Sequence, residues 1–321
     1  MEPSAVGDSP SLVSLVDVTP HVNSPWPFPG DGATVERFRS LADLARRDLP
    51  LAKIVEPHHD AAAILRDLDG PAVEPDSVWA VWAAEPPFAQ LEARETAEGF
   101  VLSGRKAFCS GATTATNALV TAGTPEGARL FSIDVRSAGL AIDHRAAQWS
   151  GHGMRRADTR SLQLDEVPAV AIGAAGDYTA RPGFWHGAIG IAACWFGGAR
   201  GVADTVESAG GRLDAHGLAH LGAIRADLDN LGAVLRDAAH RIDAAPDVPA
   251  EQAERLALSV RALAADVVDR VIARAGRALG PAPLVYDRRH SDHVADLVVF
   301  VRQHHAERDL ERLGGIGQQH D

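Results

Sequence analysis

Two adjacent histidines near the end of the sequence are the side chains best suited to acid/base chemistry. His304 and His305 carry imidazoles, which exchange protons near neutral pH. His304 follows Leu297 by seven residues and His305 follows Val301 by four, so helical spacing continues an apolar, inward-facing stripe through at least one of them. Neighbouring helical residues point about 100° apart. We therefore expect only one histidine to face a cavity as an acid/base group. The alternative is a buried structural histidine bonded to the backbone or to a carboxylate such as Asp296 or Asp309.

A second set of candidates lies in residues 99–112, GFVLSGRKAFCSGA. Phe108 offers an apolar face, and Ser110 offers a hydroxyl group and a backbone N–H. A flat, redox-active ring needs such a face to exclude water and a few fixed donors to tune its electronics. The alternative is that Phe108 is a core residue and Ser110 a turn residue, since apolar positions with polar neighbours are common.

Metal and phosphate motifs give weaker signals. Residues 56–60, EPHHD, contain metal-ligand types, but adjacent histidines on a helix diverge, and a facing ligand pair needs i, i+4 spacing. We predict no metal site there and instead a helix N-terminus capped by Asp60. The sequence has no GxGxxG after a strand, no GxxxxGK[ST] loop and no GxSxG elbow.

Composition narrows the possible partners and compartments. The formal net charge of −12 disfavours nucleic acid, because phosphate binding needs a basic face. Cys109 and Cys194 are far apart and form no CxxC pair, so we expect reduced thiols rather than a disulfide or zinc site. The acidic first residues are unlike a secretory signal, and the uncharged run 187–199 is too short to span a bilayer before Arg200. These features predict a cytoplasmic protein without a membrane segment.

The elements that must position these residues follow from hydrophobic periodicity. Residues up to about Gly30 are rich in Pro, Ser and Gly and are predicted to be irregular. One amphipathic helix is predicted through Phe38 and Leu41, and another through Ala61 and Leu65, ending at residues 69–71. Short alternating runs then predict seven strands: 78–84, 90–95, 100–102, 118–122, 129–135, 140–143 and 161–164. Their close spacing favours an antiparallel barrel or sandwich over a parallel sheet between helices.

The rest of the sequence is predicted to be helical. Four amphipathic stripes with short connections indicate a C-terminal four-helix bundle, whose last helix starts near Ser291 and ends at residues 314–315. The predicted fold class is therefore multidomain α+β, with an N-terminal lead and helical region (1–76), a β domain (77–175) and the bundle (176–321). Residues 195–198, Trp-Phe-Gly-Gly, form an uncharged part of a bundle stripe, and the small residues there fit close helix approach between subunits.

This order of elements resembles that of the acyl-CoA dehydrogenase superfamily, and residues 99–112 resemble its segment Gly-x-x-Leu-x-Gly-x-Lys-x-aromatic-x-Ser/Thr-x-Ala/Gly. Residues 84–86, Ala-Glu-Pro, are similar to the family's Thr-Glu-Pro. Residues 153–155, Gly-Met-Arg, followed by Thr159, are similar to Gly-Met-Arg-x-Ser-x-Thr. The resemblance covers residues 38–315 and is strongest from 78 to 167.

The resemblance implies an FAD-dependent oxidoreductase that acts on the CH–CH group of an acyl-CoA or related acyl substrate. Phe108 would lie against the isoalloxazine and Ser110 near its N5 region. The other cofactor residues that the resemblance implies are Ala84, Cys109, Arg212, Arg277 and Gly280. Arg212 lies in a shortened remnant of the family's Arg-x-x-Phe-Gly loop, and Arg277 and Gly280 lie where the family has Gln-x-x-Gly-Gly. A homodimer or homotetramer is also implied, since subunits of the family meet at the bundle.

The sequence departs from the family at the catalytic base, because the usual Tyr-Glu-Gly-Thr turn is absent. His304 and His305 stand there instead, and we favour His304 from its position after Asp296, which resembles an aspartate that the family places one to two turns before its base. Oxygenases of this fold carry a histidine at about this place. A flavin-dependent monooxygenase supplied with reduced flavin by a partner reductase is therefore an alternative, and a non-catalytic binding or scaffold subunit is another.

Overall fold

The computed structural model describes residues 11–144 and 148–318, and its elements divide into N-terminal helices, a β region and C-terminal helices. The first ten residues of the predicted irregular lead lie outside the described residues. The helices that follow are α1 (Leu15–Val22), α2 (Thr34–Arg47) and α3 (Leu49–Asp67). The C-terminal helices are α4 (Asp177–Ala180), α5 (Pro182–Ala209), α6 (Ala215–Ala244), α7 (Ala250–Leu279), α8 (Ala282–Tyr286), α9 (Arg288–Phe300) and α10 (Glu307–Gly315).

The N-terminal helices differ from the prediction in two places. The lead is not wholly irregular: Ser14 starts α1, and its backbone N–H donates to the Asp17 carboxylate over 2.9 Å, as in a capping box. Helix α3 starts at Leu49, eleven residues before the predicted cap, because Asp48 accepts the Leu51 N–H and caps the helix there. Asp60 therefore lies inside α3 and caps nothing, so its prediction as a helix cap is wrong.

The β region consists of β1 (Trp79–Trp82), β2 (Leu91–Thr96), β3 (Gly99–Cys109), β4 (Asn117–Thr124), β5 (Gly127–Asp134), β6 (Leu140–Ile142) and β7 (Arg160–Ile172). Five of these strands close on themselves in the order β4-β2-β3-β7-β5-β4, with β1 added beside β4 and β6 beside β7. The predicted barrel-or-sandwich region is thus a five-stranded barrel. It is not wholly antiparallel, because β4 runs parallel to both β1 and β2.

Strand β3 is much longer than the predicted strand 100–102, and a glycine explains how it continues. Gly104 has φ +129°, and a Cβ on it would lie 2.3 Å from the Gln90 carbonyl oxygen. A side chain cannot occupy that space, so glycine lets β2 and β3 approach while the register with β7 shifts nearby. The extension carries the chain to Phe108 and Ser110.

The predicted four-helix bundle is not confirmed. Helices α5, α6 and α7 are long and pack together, but the predicted fourth helix is broken. Helix α9 begins after Asp287 rather than Ser291, ends at Phe300, and is followed by a 3₁₀ turn, Val301–Gln303. The chain resumes as α10 only after Ala306, whose φ of +49° is incompatible with a continuous helix.

Helix α2 takes part in this helical layer, since it packs against both α5 and α6. Buried residues of the N-terminal and C-terminal helices, such as Leu41 and Trp195, belong to one hydrophobic core. The barrel has its own core around Leu102 and Phe131. The predicted domain boundaries stay a prediction. Among the described residues, no helix combines the length and the apolar character that a bilayer crossing requires.

The α2–α5 contact depends on a glycine. A Cβ on Gly197 would lie 2.1 Å from the carbonyl oxygen of Ala42, which is backbone and cannot rotate away. We expect Gly197→Ala to lower the free energy of unfolding by about 1–3 kcal/mol, the usual cost of overpacking. Gly222 on α6 has no neighbouring atoms in its Cβ direction, so Gly222→Ala should instead raise stability by about 0.5–1 kcal/mol. Urea unfolding of both variants tests this; equal effects would contradict the close approach.

Candidate functional site

Helix α3 connects the barrel to the helical layer, because it packs against β1 on one side and against α2 and α5 on others. The backbone N–H of Trp79 in β1 donates to His58 Nδ1 over 3.3 Å. Lys53, Glu56, Pro57 and Asp60 are spaced i, i+3, i+4 and i+7, so they share one face of α3. Pro57 has no N–H, and the Lys53 carbonyl therefore lacks its helical donor.

A cleft runs between this part of α3 and the barrel. It is lined by Lys53 and Pro57 from α3, by β1, and by Phe108 and Ser110 from the end of β3. The cleft therefore contains the two side chains that the sequence put forward for holding a flat ring. The extension of β3 and the packing of α3 on β1 together place them opposite a lysine.

Phe108 is held in an unusual conformation at the mouth of this cleft. Its φ is +58°, in the left-handed region that a bulky residue avoids. Its side chain is also 52% exposed, and its ring lies edge-on to that of Phe88, at 6.2 Å between ring centroids. The core-residue alternative is therefore wrong for Phe108. Backbone strain that displays an apolar ring to solvent is a feature of ligand sites.

Of the predicted cofactor residues near Phe108, Ser110 has a hydroxyl group in a fixed position, whereas Cys109 and Ala84 lie elsewhere. Ser110 Oγ lies 2.9 Å from Thr159 Oγ1, so two of the sequence segments that carry the family resemblance meet here. The indole N–H of Trp82 donates to the Ser110 carbonyl over 3.0 Å and fixes the backbone. Cys109 points into the barrel core, where burial raises the pKa of its thiol. Ala84 is exposed after the end of β1.

The segment that contains Thr159 also joins the barrel to α9 through Gly153 and Met154. The backbone N–H of Met154 donates to Asp296, and a Cβ on Gly153 would lie 2.1 Å from the Ala295 carbonyl oxygen. Burial raises the pKa of Asp296 to about 6, although the Met154 N–H opposes the shift. Asp296 thus holds α9 against the barrel.

Behind the cleft, charged side chains collect where a core would ordinarily be apolar. Burial, followed by the nearby Asp60 carboxylate, raises the pKa of Glu56 to about 8. Burial also raises the pKa of Asp60, whose Oδ1 is shielded from solvent and has no hydrogen-bond partner in the described part of the chain. The same desolvation lowers the pKa values of Lys53 and Arg37.

Arg261 connects this cluster to the C-terminal segment. Its Nη1 donates to the Ala188 carbonyl over 3.1 Å, and its Nη2 donates to the Gln303 carbonyl over 2.8 Å. The guanidinium lies 4.7 Å from the centroid of the Trp195 ring. Burial lowers the pKa of Arg261 to about 10, so it stays charged at neutral pH. The residue before His304 is therefore fixed to α7 and α5.

The structure gives His304 and His305 different environments, but they do not lie on a helix as predicted. Both follow the 3₁₀ turn, outside any helix. The His304 side chain is only 8% exposed, and its Nε2 lies 3.7 Å from an Asp309 oxygen, beyond hydrogen-bond range. Burial lowers the pKa of His304, with Asp309 opposing the shift. The His305 side chain is 62% exposed, and its backbone N–H donates to Asp309 over 3.0 Å.

The remaining predicted cofactor residues lie at helix ends. Arg212 is exposed in the 3₁₀ turn after α5, and Gly280 ends α7 with φ +66°. Arg277 is exposed sixteen residues beyond Arg261 on α7, a separation of about 24 Å at 1.5 Å per residue. Within one chain, Arg277 is therefore far from the cluster behind the cleft.

Histidines 58 and 59 are buried structural groups. His59 Nε2 donates to the His21 carbonyl over 3.1 Å, and its ring stacks on Trp26 at 4.0 Å. Burial lowers the pKa of His58 to about 4 and that of His59 to about 3. In the ranges that the structure describes, no three His, Cys, Asp or Glu side chains are grouped closely enough to hold a metal ion.

Sequence reasoning missed Glu56 and Arg261. The charged side chains at i, i+3 and i+7 on a helix of otherwise apolar residues are a signal for Glu56, but residues 56–60 were predicted to be a helix N-terminus without a metal site. Arg261 carried no local signal, because its partners Ala188 and Gln303 come from distant parts of the chain.

Comparison with known proteins identifies the fold. No protein-family model and no curated protein matches the sequence. Among solved structures, KijD3 in complex with FMN and a dTDP-linked amino keto sugar matches with a TM-score of 0.76 and 19% identity, over 89% of this chain and 81% of that one. TdsC and butyryl-CoA dehydrogenase, which also match, are oxidoreductases by name.

The complex of TdsC, a dibenzothiophene monooxygenase from Paenibacillus sp. A11-2, with FMN and indole gives a TM-score of 0.75 at 20% identity, over 88% of this chain and 82% of that one. Butyryl-CoA dehydrogenase from Megasphaera elsdenii gives 0.75 at 18% identity, over 87% and 80%. The chain therefore has the acyl-CoA dehydrogenase fold, and the resemblance predicted from its sequence is confirmed at that level.

The buried histidines make a prediction about acid stability. His58 and His59 stay neutral in the folded chain to about pH 4 and 3, whereas unfolded histidine protonates near 6.5. Their contribution to stability is thus complete above pH 6.5 and is lost as the pH falls, by about 1.4 kcal/mol per unit for each histidine. Urea unfolding between pH 7 and 5 should show a shallower loss for His59→Asn than for wild type. His240→Asn, at an exposed site on α6, should keep the wild-type slope; a wild-type slope in His59→Asn would contradict the assignment.

Proposed function

We propose that this chain is a flavin-dependent oxidoreductase that binds the flavin ring against Phe108. The observation that carries the proposal is the strained, half-exposed Phe108 at the mouth of a cleft that also contains Ser110. About half of the side chain is open to solvent, and the aromatic ring beside it among the described residues is that of Phe88. A planar ligand would cover the exposed face and offset the strain with contact area.

The residues present fit such a ring. Phe108 would exclude water from one face, and the Ser110 and Thr159 hydroxyls would bond polar ring atoms. The Lys53 carbonyl, without its helical donor, is a further acceptor near the cleft. A bound flavin supplies the two-electron redox chemistry that protein side chains lack.

FAD is the flavin implied by the sequence resemblance, with Arg212, Arg277 and Gly280 holding the pyrophosphate from a partner subunit of a homodimer or homotetramer. This arrangement agrees with the position of Arg277, about 24 Å along α7 from Arg261. FMN, present in the KijD3 and TdsC complexes, is the alternative. Binding of FMN requires neither Arg212 nor Arg277.

The charged side chains behind the cleft favour one of the two candidate reactions. Acyl-CoA dehydrogenation, the first reaction that the sequence suggested, needs an apolar channel for the acyl chain. Here the space behind the cleft holds Glu56, Asp60 and Arg37 instead. Oxygenation of a small polar substrate, with reduced flavin supplied by a partner reductase, is therefore the reaction we favour.

The flavin assignment predicts the effect of removing one ring. Phe108→Gly removes the aromatic face and also relieves the positive φ, so the fold should be no less stable while flavin affinity falls roughly tenfold. Titration with FAD and FMN, followed by flavin fluorescence and melting temperature, measures both effects. Tyr286→Ala, at an exposed aromatic residue on α8, is the control and should bind flavin like wild type. A wild-type chain that binds neither flavin would support the non-catalytic alternative.

The two reactions are separated by their need for oxygen. The purified chain should form an oxygenated product only when reduced flavin, a reductase and O₂ are all present. Turnover of an acyl-CoA with an artificial electron acceptor under strictly anaerobic conditions would instead establish dehydrogenation. Thiols, indoles and amino sugars make a useful first substrate panel because they are small and carry a heteroatom.

His304 remains the predicted acid/base group of the C-terminal segment. His304→Asn should leave folding and flavin affinity nearly intact while lowering turnover by roughly 10²-fold, the usual size of a lost acid/base contribution. His305→Asn should do little, since that side chain is exposed. Steady-state kinetics of both variants checks this, and unchanged turnover in His304→Asn would contradict the role.

A further inference from the structure

A cavity enclosed by α2, α5 and α6 lies apart from the cleft beside Phe108. This α2–α5–α6 cavity has a volume of about 250 Å³. Small-molecule sites are concave and usually occupy roughly 300–1,000 Å³, so the cavity is close to the lower end of that range. Helix α2 separates the two places: Arg37 interacts with the carboxylates behind the cleft, whereas Arg39, about 200° further round the helix, lines the cavity.

The floor of the α2–α5–α6 cavity is apolar. Phe38 and Ala42 lie one turn apart on α2, and Leu235 of α6 joins them. All three residues are at most 5% exposed. The ring of Phe196 adds a half-buried wall from α5. A flat apolar group can therefore be covered by aliphatic and aromatic carbon here.

A glycine on α6 keeps the cavity open. A Cβ on Gly232 would lie 3.3 Å from Phe196 Cζ and 3.6 Å from Arg236 Nη1, and both of those side chains line the cavity. A longer side chain at position 232 would therefore extend into the space between α5 and α6.

Three arginines, one from each helix, surround the apolar floor: Arg39, Arg200 and Arg236. No carboxylate from the part of the chain that the structure describes lines the cavity with them. This grouping stands out because the chain as a whole has a formal net charge of −12. A concave surface lined by charge of one sign raises the local concentration of ions of the opposite sign. The α2–α5–α6 cavity is therefore suited to an anion.

Two of the three guanidinium groups are available to a ligand. Arg200 Nη1 donates to Asp43 over 2.9 Å, and its guanidinium lies 5.7 Å from the centroid of the Phe196 ring. Within residues 11–144 and 148–318, the exposed side chains of Arg39 and Arg236 make no hydrogen bond and no ion pair. A guanidinium group presents its N–H groups as a planar fork that matches a carboxylate.

We propose that the α2–α5–α6 cavity is a binding site for an aromatic carboxylate. The carboxylate lies at the rim, where Arg39 and Arg236 donate to it, and the aromatic body lies against Phe196 and the apolar floor. The concave shape, the apolar floor and the free cations are satisfied together by one small anionic molecule. This site does not depend on the proposed flavin function.

The first test compares three probes by isothermal titration calorimetry with the purified full-length chain. Cinnamate should bind at one site per chain. Cinnamyl alcohol has the same aromatic body without the charge and should bind roughly tenfold more weakly, because the charge-assisted hydrogen bonds are lost. Inorganic phosphate, which lacks the apolar body, should not displace cinnamate at equal concentration. Equal affinity for cinnamate and its alcohol, or displacement by phosphate, would overturn the proposal.

Charge-matched variants locate the bound probe. Arg39→Gln combined with Arg236→Gln should weaken cinnamate binding roughly tenfold, because both donors at the rim are removed. Arg255→Gln combined with Arg308→Gln removes two exposed cations elsewhere and should bind like wild type. Phe108→Gly, which alters the cleft, should also bind cinnamate like wild type. The proposal fails if the two double variants lose equal affinity, or if Phe108→Gly loses it.

A pair of glycine variants tests the cavity itself and separates a small molecule from a second copy of the chain. Gly232→Leu should abolish cinnamate binding, whereas Gly222→Leu, on the same helix but with no atoms in its Cβ direction, should retain it. Sedimentation of Gly232→Leu should match that of wild type. A wild type that does not bind cinnamate, together with a smaller oligomer in Gly232→Leu, would instead establish a contact between subunits and overturn the proposal.

Discussion

A charged helix face that is largely withdrawn from water is the constraint on which the site depends. Helix α3 is enclosed by β1, α2 and α5, so Lys53, Glu56 and Asp60 share a volume from which bulk solvent is largely removed. Desolvation favours the neutral form of each group, and it acts on acids and bases in opposite directions. The result is a site whose carboxyl groups hold protons more tightly, and whose lysine holds its proton less tightly, than in water.

Close backbone contacts keep this enclosure in place. Gly197 brings α5 onto α2, Gly153 brings the barrel onto α9, and Gly104 brings β2 onto β3. Each contact removes the room in which a side chain would otherwise separate two elements. The strained backbone at Phe108 persists because the elements on both sides of it are fixed in this way.

The sequence predicted the fold where local signals and tertiary packing agree. Alternating residues located all seven strands found among the described residues, and the position of Phe108 and Ser110 beside a cleft agrees with the segment that resembles the family. Prediction failed where tertiary contacts decide. Asp60 was predicted to cap a helix N-terminus but lies inside α3, and no Gly or Pro marks the break between Phe300 and Glu307.

The site was only half predictable for the same reason. Phe108 and Ser110 lie in one continuous segment with its own pattern, whereas Glu56 and Arg261 acquire their surroundings from four different elements. Burial raises the pKa of Glu56 only because distant residues cover it, and no window of sequence contains that information. The strand pattern likewise does not encode which strand β1 pairs with; in the structure it pairs in parallel with β4.

The distribution of lysine has a practical consequence. Lys53 and Lys106 are the only lysines in the sequence; the first lines the cleft, and the second is buried in the barrel, where its ammonium donates to the Thr121 carbonyl over 2.6 Å. The many surface cations are arginines, which do not react with amine-directed reagents. Amine-selective labelling of lysine in the folded chain is therefore directed to Lys53 in the cleft, because Lys106 is only 2% exposed. The extent of Lys53 modification then reports how wide the cleft between α3 and the barrel is.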